Sequence, residues 1–169
     1  MIHVVLYEPE IPQNTGNIMR TCVAFGCRLD LIEPLGFYVD QAHLKRASLD
    51  YIDRLDMRVW HDWNSFVREN KGEFYYTTRY GHKNPSEFDF SSVSDDIYLV
   101  FGKESTGIDK DILKHDIDRC IRIPMVSSAR CLNVSNTVAV MIYEVMRQKG
   151  FPGLSADEAI KGADFLERL

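Results

Sequence analysis

The chain has 169 residues, a formal net charge of −5, 45% hydrophobic and 27% charged residues. That length suits one domain, residues 1–169, able to bury roughly two thirds of the surface its unfolded chain exposes. The composition excludes a disordered or fibrous chain, no apolar run approaches the ~18 residues needed to cross a bilayer, and the acidic balance argues against indiscriminate nucleic-acid binding, which phosphate neutralisation drives.

Ile2 to Tyr7 is a β-branched, apolar run that reads as a buried strand. A Pro9/Pro12 loop follows, then Ile18, Met19, Cys22, Val23 and Phe25 at helical spacing, with Gly26 as the stop. Asn14 reads as the N-cap of this helix. Leu29 to Ile32 is the next strand, closed by Pro34, and Gln41 to Ala47 reads as a short helix. Met57 to Trp60, Phe74 to Thr77, Ile97 to Phe101 and Cys120 to Ile123 supply further strands, with helices expected at Trp63 to Glu69 and Lys110 to His115. Val134, Val138, Met141, Ile142, Val145 and Met146 form the stripe of an amphipathic helix that Gly150 ends. Ser155 with Glu158 has the capping-box spacing and predicts a last helix to about Leu166. Alternating strands and helices imply an α/β fold, a mostly parallel sheet flanked by helices.

The four cysteines, Cys22, Cys27, Cys120 and Cys131, show no paired spacing and read as reduced cytosolic thiols. The five histidines form no HExxH pattern and sit near no CxxC pair, so no metal site is expected. The N-terminus lacks a signal-peptide pattern, and a cytoplasmic protein is expected. Lys45-Arg46, Arg79 with His82-Lys83, and Arg119, Arg122 and Arg130 are basic clusters beside loops. A focused patch of this kind steers an anionic partner, but simple solvated charge fits the pattern equally well.

Three polar segments follow apolar runs. Asn14 to Arg20 opens the first helix, where free N–H groups favour an anion. On pattern alone, Arg20 reads either as an anion contact or as a surface ion pair. Phe101 to Gly107 resembles a phosphate loop only superficially. Ile97 stands where a Walker motif needs Gly, and Glu104 where it needs Ser or Thr. A close backbone approach to a ligand and a tight strand-to-helix turn both fit it. Ile121 to Met125, running through Arg130 to Asn136, joins a strand to a Pro-limited loop and a helix start rich in amides and hydroxyls. In open α/β sheets such strand ends take ligands. Tyr143, on the polar stripe of the helix that follows, suits a core, interface or catalytic role.

Taken in order, these segments resemble the three motifs of the SPOUT superfamily of knotted methyltransferases, in its ribose 2'-O-methylating branch. Asn14-x5-Arg20 is similar to the first, Leu99 to Gly107 to the second, and Ile121 to Met125 with Asn133 to Asn136 to the third. The opening Leu6 to Asn17, with Ala47-Ser48-Leu49-Asp50-Tyr51, narrows the likeness to the minimal bacterial members that methylate the wobble ribose of tRNA. It covers about residues 1–153, leaving 154–169 as a C-terminal helix. The resemblance implies a deep C-terminal trefoil knot, an exception to unknotted topology. It also implies S-adenosyl-L-methionine as cofactor, S-adenosyl-L-homocysteine as product, tRNA as partner, and a homodimer with its site at or near the interface. Carried over by position, cofactor contacts fall to Tyr76, Gly102, Ile123 and Cys131, largely through backbone, with Met125 and Leu132 nearby. Glu104, Asn133 and Ser135 shape the pocket. Arg20 and Tyr143 are the catalytic candidates, Asn14 organises the first loop, and Arg20 serves the partner subunit's site. Many relatives have Ser where Cys131 stands, so a hydroxyl role there is lost while a backbone contact survives. A target in rRNA or at another tRNA position, and a silent RNA-binding protein on the same fold, are the alternatives.

Overall fold

A computed structural model describes residues 1–38 and 53–169. The helix expected at Gln41–Ala47, the Lys45-Arg46 pair and the Ala47–Tyr51 motif lie outside the described residues. Strands β1 (Ile2–Tyr7), β2 (Arg28–Ile32), β3 (Met57–Trp60), β4 (Glu73–Thr77), β5 (Ile97–Phe101) and β6 (Cys120–Ile121) form one sheet ordered β3-β2-β1-β5-β4-β6. Every neighbouring pair is parallel. Helices α1 (Pro12–Phe25), α2 (Trp63–Glu69), α3 (Lys110–His115) and α4 (Val134–Gln148) connect or cover the strands.

A parallel sheet needs apolar cover on both faces, which is why the central strands β1 and β5 are buried along their whole length. Val4, Leu6, Leu29, Leu31, Leu99 and Phe101 face one way and share a core with Ile18 and Cys22 of α1 and Val138, Met141 and Ile142 of α4. The alternate residues Val5, Tyr7, Ile32, Trp60, Tyr98 and Val100 form a second core with Phe66 of α2 and Leu113 of α3. A buried polar pair, His3 and Asp30, interrupts the apolar strands. The Asp30 carboxylate, with no exposed surface, accepts from Trp60 Nε1 at 2.8 Å and meets His3 Nδ1 at 3.1 Å, tying β1, β2 and β3 together. Trp63, at the start of α2, packs its ring 5.6 Å from that of Phe66.

Three expectations need correction. Asn14 is not the N-cap of α1. The helix starts at Pro12, whose missing N–H and fixed φ suit a first helical position, the cap is Ile11, and Asn14 lies two residues inside with its side chain buried. β6 stops at Ile121 instead of Ile123, because the Arg122 N–H turns to the Lys83 carbonyl at 2.8 Å. The expected C-terminal helix is a series of turns with a short 3-10 segment at Phe165–Arg168. There the Ser155 hydroxyl accepts from Asp157 N–H, and Glu158 accepts from Ile160 and Lys161 N–H without reaching back to Ser155. Such local bonds compete with helix. Ile160 at 94% and Leu166 at 80% exposure bury nothing that would repay ordering it.

Candidate active site

In an open parallel sheet the chain leaves neighbouring strands in opposite senses at one point, and the crevice outside the carboxyl ends is there. Here that point is β1 beside β5. The loops leaving these two strands clasp each other. The Glu104 carboxylate accepts from Glu10 N–H at 2.9 Å, Ile11 N–H at 3.3 Å and Asn14 Nδ2 at 2.9 Å. In return the Glu10 carboxylate accepts from the N–H and hydroxyl of Ser105, both at 2.8 Å. Those bonds hold the Glu10 carboxyl below its ordinary range. Lys103 Nζ lies 2.6 Å from Glu8, which raises the lysine's pKa. The anion expected at the start of α1 is thus the protein's own Glu104.

The third segment joins the same chain of bonds. Asn14 Oδ1 accepts from Asn133 Nδ2 at 2.9 Å. Asn133 is the N-cap of α4, its Oδ1 taking the N–H and hydroxyl of Ser135 and the N–H of Asn136. Glu104, Asn14, Asn133 and Ser135 are therefore brought together in one hydrogen-bonded line across three loops. A line of this kind fixes three loops by one set of directional contacts.

Gly102 leaves β5 where a side chain has no room. A Cβ there would stand 2.3 Å from the backbone of Gly107 and of Ile108. The ends of β5, β4 and β6 are consecutive in the sheet, so Gly102, Thr77 and Ile123 begin or border one edge. Thr77 Oγ1 is buried there without a hydrogen-bond partner among the described residues. Beside that edge Asn84, Pro85, Ile123, Pro124, Val140 and Tyr143 line an open depression of about 520 Å³.

The remaining expected residues are more scattered. The Tyr76 side chain belongs to the opposite core and donates its hydroxyl to Asp116 at 2.9 Å, so only its backbone is left for the edge. Burial and the Asp116 carboxylate push that phenol's pKa up. Met125 is half-buried, and Cys131 and Leu132 are exposed, on the irregular loop between β6 and α4. Tyr143, 54% exposed, rests 5.4 Å from the Phe151 ring. Arg20 lies on the exposed face of α1, whereas Asn14 lies on its buried face, so one helix does not present both to one point. Sequence reasoning missed roles for Glu8, Glu10 and Thr77. Glu8 and Glu10 bond groups 95 positions away, and no local pattern marks such pairs. Among the described residues no group of three or more His, Cys, Asp or Glu side chains could hold a metal ion.

The four cysteines are free, three of them buried. Burial lifts the Cys27 thiol to about 12 and the Cys120 thiol to about 11, and pushes Cys22 up as well. Thiolate is the reactive form. At pH 8 a thiol titration of the native protein should therefore find one fast group, Cys131, and four after denaturation. Two fast groups in the native protein would contradict the burial of Cys22, Cys27 or Cys120.

The same fold occurs in solved methyltransferase structures. A solved rRNA methyltransferase from Sinorhizobium meliloti, with AdoMet bound, shares the fold at a TM-score of 0.75 and 23% identity, covering 86% of this chain and 56% of that one. The chain belongs to the SpoU rRNA Methylase family, whose model matches residues 1–143. It is 47% identical over 155 residues to a Geobacillus stearothermophilus protein, provisionally named a tRNA (cytidine(34)-2'-O)-methyltransferase, covering 91% of this chain and 99% of that one. A structure described as giving insights into 2-OH methylation of C/U34 on tRNA matches with a TM-score of 0.80 and 37% identity, covering 88% of this chain and 95% of that one.

Proposed function

We propose that this protein transfers a methyl group from S-adenosylmethionine to the ribose 2'-hydroxyl of the wobble nucleotide of tRNA, a cytidine or modified uridine, in the cytoplasm. The observation that carries this reading is the line Glu104–Asn14–Asn133–Ser135, which knits three distant segments into one edge of the sheet. The relatives named for this reaction and matching most of the chain support the target.

The residues present fit the cofactor. Gly102 lets the backbone of Gly107 and Ile108 close tightly against the end of β5, Ile123 and Pro124 offer apolar wall, and Thr77 Oγ1 is a buried polar atom that a ligand amine or hydroxyl would satisfy. When bound, the sulfonium supplies an electrophilic methyl group. The backbone at Tyr76, Gly102, Ile123 and Cys131 would hold it, with Met125 and Leu132 alongside. Transfer to a hydroxyl gains most from alignment and exclusion of water, and the hydroxyl proton must leave as the bond forms. Arg20 would align that hydroxyl and an adjoining phosphate, since a guanidinium holds its own proton tightly. Tyr143 would border the ribose. Glu104, Asn133 and Ser135 shape the pocket from behind, and Asn14 organises the first loop.

Two assembly features belong to the same reading. Residues 122–153 would thread a trefoil knot, bringing α4 back onto α1. Two copies would pair through the outer face of α4, where Val140 is 45% and Tyr143 54% exposed beside Pro85. Buried charge at an apolar interface is strongly unfavourable, so Val140→Glu should convert a dimer into monomers in sedimentation at micromolar concentration. A monomeric wild type would refute the pairing. For the reaction itself, tRNA carrying cytidine at the wobble position, incubated with protein and S-adenosylmethionine, should gain one ribose methyl there by mass spectrometry. A methyl at another position, or none, would refute the assignment.

A further inference from the structure

Resting on the RNA substrate proposed above, we infer that the turn from Arg79 to Lys83, with Arg122, is a stacking platform for an unpaired nucleotide flanking the target. Tyr80 would carry the base, and Arg79, Lys83 and Arg122 its phosphates.

The turn is built rigidly onto the end of β6. Thr78 N–H donates to the Ile121 carbonyl at 2.9 Å, Arg122 N–H to the Lys83 carbonyl at 2.8 Å, and the Arg122 guanidinium to the Arg79 carbonyl at 2.8 Å. Gly81 makes the close approach possible, because a Cβ there would lie 2.7 Å from the Cys120 carbonyl oxygen and 2.8 Å from Arg122 N. What this frame holds outward is a polar, aromatic surface. Tyr80 is 52% exposed and His82, Lys83, Arg79 and Arg122 are exposed.

The charges here are available, in contrast to most nearby. Arg119 is taken by Glu73, Lys103 by Glu8 and Arg147 by Glu144. Arg79, Lys83 and Arg122 have no carboxylate partner among the described residues, and Lys83 meets only the Phe88 ring, at 5.7 Å. The acid nearest Lys83 in sequence, Glu87, is turned back to Asn84, bonding its N–H at 2.7 Å and its amide at 2.6 Å. In a chain of net charge −5, three uncompensated cations around an exposed ring make a local exception.

Position completes the fit. Lys83 runs directly into Asn84 and Pro85, and Arg122 into Ile123 and Pro124, which line the depression beside the proposed site. An aromatic face with cations around it suits a single strand, whose bases are splayed out and whose phosphates lie alongside. A duplex would need no such ring, since its bases are already stacked.

The test uses full-length Tyr80→Ala, Tyr80→Phe and Arg79→Ala/Lys83→Ala, with tRNA and a labelled single-stranded RNA as probes. Tyr80→Ala should weaken RNA binding and raise KM for tRNA by about 10- to 100-fold. Its kcat, its affinity for S-adenosylmethionine and its melting temperature should stay at wild-type values, and Tyr80→Phe should restore binding. The double variant should flatten the salt dependence of binding by about 0.7 per lost phosphate contact. RNA affinity unchanged in Tyr80→Ala would overturn the platform, as would a parallel fall in cofactor affinity, which would make the turn part of the cofactor pocket. Direct binding separates the two readings: Tyr80-dependent RNA binding by a protein that methylates nothing would refute the activity alone.

Discussion

Arg20→Ala is expected to lower kcat for tRNA methylation by on the order of 10³-fold, the scale of losing a proton-transfer or alignment partner. Affinity for S-adenosylmethionine should be unchanged, because Arg20 stands on the exposed face of α1 and is not among the residues proposed to hold the cofactor. Arg20→Lys should recover only part of the rate. An ammonium keeps the charge but not the planar fork that grips a phosphate and a hydroxyl together. Since α1 turns Arg20 outward and Asn14 inward, the arginine would meet substrate at the partner's site. Mixing inactive Arg20→Ala with an inactive variant of the cofactor edge should then restore measurable turnover in the mixed dimers. Normal turnover by Arg20→Ala would remove the residue from the reaction.

The second large effect is expected at Glu104. Its carboxylate satisfies two backbone N–H groups of the β1–α1 loop and the Asn14 amide, and Asn14 in turn holds Asn133. Glu104→Ala leaves these donors without an acceptor, at a cost of about 2–4 kcal/mol given partial access of water. That corresponds to a fall of roughly 5–15 °C in Tm for a domain of this size. Activity should fall further than stability explains, because the first turn of α1 and the cap of α4 lose their common anchor. Glu104→Gln keeps one acceptor and should be intermediate in both measures. A Glu104→Ala protein with wild-type Tm and turnover would show that the three loops are held by something else.

Much of this architecture was legible in the sequence, and the reasons differ by element. The central strands β1 and β5 are buried on both faces, so near-continuous apolar runs mark them, and the stripe on α4 is long enough to be unambiguous. Trp63–Glu69 and Lys110–His115 appear with the expected bounds. At the start of α1, Asn14 has the chemistry of a cap, yet Pro12 fixes the first turn earlier. Asn14 instead uses that chemistry across the domain. The last segment shows the converse failure. Ser155 and Glu158 have the spacing of a capping box, but a cap stabilises a helix only where an apolar face has somewhere to go. In the site, Asn14, Glu104, Asn133 and Ser135 converge as the motif order suggests. The Glu8–Lys103 and Glu10–Ser105 pairs were invisible because each needs the sheet order to bring its members together.

The Asp30 carboxylate also decides what light can report about this molecule. It engages the Trp60 indole on the α2 side of the sheet, and Trp63, the chain's other tryptophan, packs there too. Intrinsic emission therefore follows the integrity of that layer, opposite the helices that carry Asn14 and Asn133. A denaturation curve read by fluorescence will report through that layer, and arrival of a ligand beside Asn14 and Asn133 calls for a probe placed on the other face of the sheet.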